Sequence, residues 1–284
     1  MTVVDAHVHV FAALSERFPR DVHELYPPEL EAPAEALLGE MERAGVDRAV
    51  IVPLSHHDDY LRAVLEQFSG RFAAIGLPPP GDVDVDGYRR RREAVGLQGL
   101  RLFELGSPAV TRPEELETFP LLAEFARSGD KLWFYGGKEQ MELLDRVLDV
   151  LPELTVVLNH LGFWPSGLLV DEHGRPAFTA SYTREGLDRV VALARFPRVL
   201  VLCSGLYAFS AEPWPYEDLC WVTSAILEAY GPARLLLATD YPWIRVEPGY
   251  AETIQAIDVH FAGLDERDRA AIRGGNALQL FRFS

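Results

Sequence analysis

The chain has 284 residues, 48% hydrophobic and 25% charged, which is an ordinary globular composition long enough to bury a large core. Its formal net charge is −16, and no basic stripe breaks that acidity, so nucleic acid and anionic membranes are not the expected partners. Two cysteines are too few for a disulfide framework, and no apolar run approaches the ~20 residues of a membrane helix. The N-terminal MTVVDAHVHVF has no basic segment followed by an apolar one, so the expectation is a cytoplasmic protein without a signal peptide.

Eight short apolar runs recur along the chain, at residues 2–10, 48–54, 72–77, 98–103, 131–136, 154–160, 198–205 and 234–240. They are rich in Val, Ile, Leu and Phe, as strands covered on both faces should be. Helical patterns lie between them, at 33–44 (with Gly45 as C-cap), 60–68, 83–94, 113–127, 139–151, 184–196 and 217–230, and 251–261 and 276–281 follow the last strand. The four arginines Arg89 to Arg92 fall on one of these helices and read as a solvated face. Eight strand–helix units predict one (β/α)8 TIM barrel spanning residues 1–284 as a single domain. The rival is a doubly wound open sheet. It would ordinarily carry a glycine-rich loop after the first strand, and residues 8–13 contain no glycine.

A barrel places its active site at the C-terminal ends of its strands, so the polar residues ending these runs are the candidates. His7 and His9 close the first, spaced so that both imidazoles face the barrel mouth with Asp5 below them. Arg101 ends the fourth, Tyr135 the fifth, His160 the sixth and Asp240 the eighth. Each also has a plain structural reading: a satisfied core histidine, a helix cap for Asp240, or an ion pair of Arg101 with Glu104 or Asp5. Convergence of all of them on one rim favours chemistry. The donor set would accept one divalent metal, Zn2+ or Mn2+, on His7, His9 and Asp240, with His160 as a fourth ligand. The same groups also suit a metal-free hydrolytic site, and no organic cofactor is expected.

The loops add an aromatic pocket, with Trp164, Tyr207 and Trp243 as wall residues, and a long segment at 161–183 suited to a lid. Of His56 and His57 at most one can face the site. His23, His173 and His260 are expected at the surface, Cys203 in the core, and Ser204 against either substrate or chain.

The motifs DAHVH, LNHLG, LLLATDYPW and GGNALQLF, in that order, resemble the amidohydrolase superfamily and within it the amidohydrolase-related branch. That branch includes lactonases such as 2-pyrone-4,6-dicarboxylate lactonase and decarboxylases such as aminocarboxymuconate-semialdehyde decarboxylase. The resemblance implies the same barrel, with His7 and His9 as the HxH, His160 as the sixth-strand histidine and Asp240 as the eighth-strand aspartate. The chain departs from the metal-binding pattern on its fifth strand, where KLWFYGG offers no histidine; a binuclear centre is therefore not expected. The resemblance implies a hydrolase that opens a lactone or similar ester-like bond of a small carboxylated or polyhydroxylated molecule. Asp240 would act as general base, His160 with His7 or His9 would polarise the carbonyl, Arg101 would hold a substrate carboxylate, and Tyr135 would donate a hydrogen bond. The alternatives are a metal-dependent non-oxidative decarboxylase and a non-catalytic barrel that binds a small molecule. A small-molecule substrate is the expected partner, and a homodimer the default assembly.

Overall fold

The computed structural model describes residues 1–81, 84–164, 166–179 and 182–283. Strand and helix alternate through it. The strands are β1 (Val4–Val8), β2 (Arg48–Ile51), β3 (Phe72–Gly76), β4 (Leu97–Leu102), β5 (Lys131–Phe134), β6 (Thr155–Leu158), β7 (Leu168–Val170), β8 (Pro176–Phe178), β9 (Val199–Cys203) and β10 (Leu235–Leu237). The helices are α1 (Ala34–Ala44), α2 (Asp59–Gln67), α3 (Val85–Val95), α4 (Phe119–Ser128), α5 (Lys138–Val150), α6 (Arg184–Ala192), α7 (Leu206–Phe209), α8 (Cys220–Tyr230), α9 (Tyr250–His260), α10 (Glu266–Ala270) and α11 (Asn276–Leu280).

All eight expected strands form and pair in parallel, in the order β1-β2-β3-β4-β5-β6-β9-β10. The ends of the sheet meet beyond β10. The Asp240 N–H donates to the His7 carbonyl at 3.0 Å, and the His9 N–H to the Tyr241 carbonyl at 2.7 Å. This is a TIM barrel with its helices outside. The helix expected from residue 83 begins at Val85, and Val83 itself lies outside the described residues. Gly45 caps α1 in the left-handed conformation, φ 70°. No helix among the described residues is long and apolar enough to cross a membrane.

Two apolar layers follow from strand alternation. Val50, Val52, Ala73, Ile75, Trp133, Val157, Leu202 and Leu236 fill the barrel, while Ala49, Ile51, Ala74, Leu132, Phe134, Val156 and Leu158 meet the helices. The closing GGNALQLF seals the floor. Phe281 lies edge-on to Trp133 at 5.8 Å, and the Asn276 amide donates to the carbonyls of Pro232 and Leu235, both at 2.8 Å.

Alternation fails on β1. The pairing register slips between Asp5 and Val8, so Asp5 does not share a face with the two histidines as the i, i+2 spacing suggested. Its carboxylate turns to Thr239 and to the Tyr250 hydroxyl on α9. His260 is a second correction. It is buried; its Nε2–H donates to the Pro215 carbonyl at 2.8 Å, and its Nδ1 lies 3.0 Å from the Thr223 hydroxyl.

The expected lid segment folds into an unforeseen element: β7 and β8 form an antiparallel hairpin over the barrel mouth, with residues 165, 180 and 181 outside the description. Arg175 fixes its base through Asp171 at 2.7 Å and the Glu247 carbonyl at 2.5 Å.

Gly99 shows how tightly β4 and β5 are joined. Its φ is 152°, and a Cβ there would stand 2.0 Å from the Lys131 carbonyl oxygen. Gly99→Ala should therefore cost about 3 kcal/mol or more of stability, read by denaturant unfolding. A change under about 1 kcal/mol would show that this approach is not required.

Candidate active site

The candidate residues come from the ends of different strands, and most of them stand beyond the last ladder residue. His160 and Leu161 follow β6 in the left-handed region, at φ 47° and 57°, and Asp240 follows β10 at φ 66°. Such backbone is costly for residues with a Cβ and persists only where the surroundings enforce it, which is commonest at functional sites. Gly205 after β9 makes room for this: a Cβ on it would lie 2.7 Å from His160 Nδ1.

The carboxylate of Asp240 is the hub. Oδ2 accepts a hydrogen bond from the Tyr207 hydroxyl at 2.7 Å. Oδ1 lies 3.2 Å from His9 Nε2 and 3.4 Å from His7 Nε2. Burial alone would favour the neutral acid. His160 and the contacts with His9 and His7 oppose burial and hold the group well below the usual carboxylate range, so Asp240 is ionised. His160 moves the other way to about 4, mainly through burial, and is neutral at pH 7. Its Nδ1 is 2.9 Å from Ser204 Oγ. With Ser204 donating there, Nε2 carries the proton and can hydrogen-bond a substrate oxygen.

Arg101 forms no ion pair among the described residues, with Glu104, with Asp5 or with any other carboxylate. It is only 6% exposed, and its Nε has no hydrogen-bond partner there. The guanidinium lies over the rings of Phe103 and Tyr135, at 4.7 and 5.3 Å from their centroids. Burial lowers its pKa. A buried guanidinium without a carboxylate is expensive unless a ligand supplies one.

These groups surround a cavity of about 250 Å³. His9, Arg101, Tyr135, His160, Tyr207, Asp240 and Trp243 line it. His7 does not. It is fully buried beneath, so of His7 and His9 it is His9 that reaches the cavity. Trp164, expected in the wall, is not among the lining residues. Its indole edge stands over Gly186 at the start of α6, and Phe178 of the hairpin helps form the wall instead. His56 and His57 also lie outside the cavity; His56 pairs with Asp21 at 2.9 Å in a partly exposed cluster. Tyr26, Phe103 and Trp133 are site residues that the sequence reading did not single out. Only Trp133 was open to inference, because alternation along β5 puts its indole N–H inside the barrel, where it needs an acceptor.

The ligand atoms of His7, His9 and Asp240 lie within 4.8 Å of one another, a grouping that suggests a divalent metal. The two imidazole Nε2 atoms are 3.3 Å apart. A tetrahedral ion with bonds of ~2.0–2.1 Å would set its ligands ~3.4 Å apart, so the spacing fits. His9 fits too: its Nδ1 donates to the Val52 carbonyl, which leaves the Nε2 lone pair free. His7 does not fit. The Trp133 indole, a donor only, points at His7 Nδ1 from 3.0 Å. Nδ1 must accept, so the proton of a neutral His7 sits on Nε2, the atom a metal would need. The same proton points at His9 Nε2, 3.3 Å away.

The amidohydrolase family model matches residues 4–283. The chain belongs to the amidohydrolase family. No curated protein matches it in sequence. Among solved structures, this amidohydrolase is similar to a putative 2-pyrone-4,6-dicarboxylic acid hydrolase from Pseudomonas putida, at 22% identity and TM-score 0.74 over 100% of this chain and 98% of that one. It is similar to a zinc-bound amidohydrolase from Burkholderia multivorans, at 18% identity and TM-score 0.74 over 99% of both chains. A 5-carboxyvanillate decarboxylase from Sphingomonas paucimobilis is also similar, at 17% identity and TM-score 0.63 over 100% and 99%. At these identities the likeness shows the fold alone.

Two measurements test this amidohydrolase site. Protein purified without tag or chelator should carry well under one zinc or manganese per chain by plasma mass spectrometry, and Trp133→Phe, which frees His7 Nδ1, should raise zinc uptake. One metal per wild-type chain, lost in Asp240→Ala, would overturn the proton placement. The second measurement is stability against pH. The folded pKa of His160 is depressed to about 4 from 6.5, so the unfolded chain takes up this proton first as pH falls. The contribution of His160 is thus present above pH 6.5 and lost on the way down to 4, by about 3 kcal/mol in all. The stability gap between wild type and His160→Asn should shrink accordingly from pH 7 to pH 4; a constant gap would contradict the buried neutral imidazole.

Proposed function

We propose that this amidohydrolase hydrolyses an ester-like bond, that of a lactone, in a small carboxylated molecule. One observation carries the reading: an ionised Asp240, a neutral His160 and an unpaired Arg101 guanidinium face the same small, largely apolar cavity.

Arg101 binds the substrate carboxylate, the geometry its planar fork suits best. That contact sets the ring carbonyl against His160, whose Nε2–H donates to the carbonyl oxygen. Tyr135, whose hydroxyl has no hydrogen-bond partner among the described residues, offers a second donor at the same wall. Asp240 orients a water and takes one of its protons as the water oxygen bonds to the carbonyl carbon. The oxyanion collects on the two donors, an arrangement worth about 10²–10³ in rate per donor elsewhere. Collapse breaks the ring C–O bond. The proton on Asp240 passes to the leaving alkoxide, and the product is a hydroxy acid. Tyr207 and the imidazoles keep Asp240 aimed and charged between turnovers, and His7 acts from below as a positioning residue.

No step in this sequence needs a metal. The decarboxylase alternative, as drawn from the sequence, rests on a metal held by the same histidines, and the proton on His7 Nε2 weighs against it.

Asp240→Asn should lower kcat on a carboxylated lactone by about 10²–10⁴-fold with little change in KM. Arg101→Met should instead raise KM by about tenfold to a hundredfold. Turnover that survives Asp240→Asn would remove the general base from the proposal.

A further inference from the structure

The cavity walls say more about the ligand than the catalytic groups do. Among the described residues lining the cavity, Arg101 is the only arginine or lysine. Nearby cations are committed elsewhere. Arg20 donates to the backbone carbonyls of Ala12, Tyr26, Pro27 and Leu30, and Arg175 is held by Asp171 and the Glu247 carbonyl. Among the described residues the lining contains no serine, threonine, asparagine, glutamine or glutamate; the Tyr207 hydroxyl is taken by Asp240, which leaves the Tyr26 and Tyr135 hydroxyls and the His9 and His160 imidazoles as its few uncharged polar groups. The remaining wall is built largely of Leu25, Leu54, Phe103, Phe178, Phe209 and Trp243.

We propose that the site selects a lactone bearing a single carboxylate on an otherwise apolar, flat ring system, and rejects both dicarboxylates and polyhydroxylated lactones. This deepens the hydrolase reading and rests on it. One guanidinium can satisfy one carboxylate. A second carboxylate would be stripped of water against aromatic walls, with no cation to meet it and the ionised Asp240 close by. A polyol fares no better, because each buried hydroxyl without a partner loses its hydrogen bonds to water. A flat apolar ring loses nothing there and gains burial against Phe103, Phe178 and Trp243. The volume of about 250 Å³ lies just under the ~300–1,000 Å³ usual for ligand pockets, which suits one or two fused rings and little more. Hydrolysis of such a substrate consumes one water and leaves a hydroxy acid with two carboxylates, the kind of charge the walls reject, so the product should leave readily.

The test is calorimetric titration of the wild-type protein with benzoate, isophthalate and gluconate, three probes it does not need to turn over. Benzoate should bind with one site per chain. Isophthalate, the same ring with a second carboxylate, should bind about tenfold more weakly or worse, and gluconate should give no measurable heat. Arg101→Met should weaken benzoate by about tenfold or more, while Arg101→Lys, which keeps the charge without the fork, should fall between. Isophthalate or gluconate binding as tightly as benzoate would overturn the proposal, as would benzoate affinity indifferent to Arg101→Met. Lactone turnover is read separately. The expected selectivity in binding without any lactone hydrolysis would sink the hydrolase reading alone; hydrolysis that prefers dicarboxylated or polyhydroxylated lactones would sink the ligand class alone.

Discussion

Barrel closure between the first and last strands depends on one buried carboxylate. Asp5 accepts from the Thr239 N–H at 2.9 Å, from the Thr239 hydroxyl, from the Tyr250 hydroxyl at 2.9 Å and from the His7 N–H at 3.2 Å. Four donors on one carboxylate tie β1 to the segment after β10 and to α9 at a point where strand pairing has ended. The placement of His7 and Asp240 depends on this tie. With Asp5 in place, His7 and Asp240 stand back to back across the seam, joined by the Asp240 N–H to the His7 carbonyl. Burial pushes the Asp5 carboxyl up to about 6, so the tie is made at some cost in charge solvation. The register slip on β1 is what sends Asp5 outward to Thr239 while its neighbours two and four residues on face inward.

From that seam the electrostatics of the site follow. His7, His9, His160 and Arg101, all buried, crowd one buried carboxylate. Two histidines donate or accept through fixed partners, Trp133 for His7 and Val52 for His9, which sets the tautomer of each. The outcome is a separation of roles by environment. Asp240 stays ionised because His160, His9 and His7 stand against it, and His160 stays neutral because burial outweighs the attraction of Asp240. A base and a hydrogen-bond donor thus coexist at pH 7, as general-base hydrolysis requires.

The strands and their polar ends were legible in the sequence because both rest on short-range rules. Strands covered on both faces must be apolar, and polar residues that end them must gather at one rim. Arg101, Tyr135, His160 and Asp240 were found in this way, and the structure places them around one cavity. What escaped is long-range. The β1 slip has no local signature, so Asp5 was set on the wrong face. Trp164 looked like a wall residue because it is aromatic and near His160 in sequence, yet the left-handed turn at His160 and Leu161 carries it toward α6. The β7–β8 hairpin is too short, and too weakly alternating in PAFTA, to stand out from a loop. His260 lies in the last turn of a helix, where exposure is the ordinary expectation, but the loop carrying Pro215 covers it.

Chemistry and selection occupy different parts of this molecule. The groups proposed to move protons stand at strand ends or one tight turn beyond, with their positions set by the barrel. The other residues that wall the cavity stand mainly on loops and on the hairpin: Leu25 and Tyr26 after β1, Phe103 after β4, Leu168 and Phe178 on the hairpin, Phe209 at the end of α7, and Trp243 after Asp240. Fold-level likeness therefore carries over to the first set more safely than to the second. Arg101 joins the two, since its backbone belongs to β4 while its charge decides what the loops may enclose. A single cation inside apolar loop walls is a narrower specification than the barrel itself supplies, and it is set by residues that none of the four family motifs contains, Trp243 excepted.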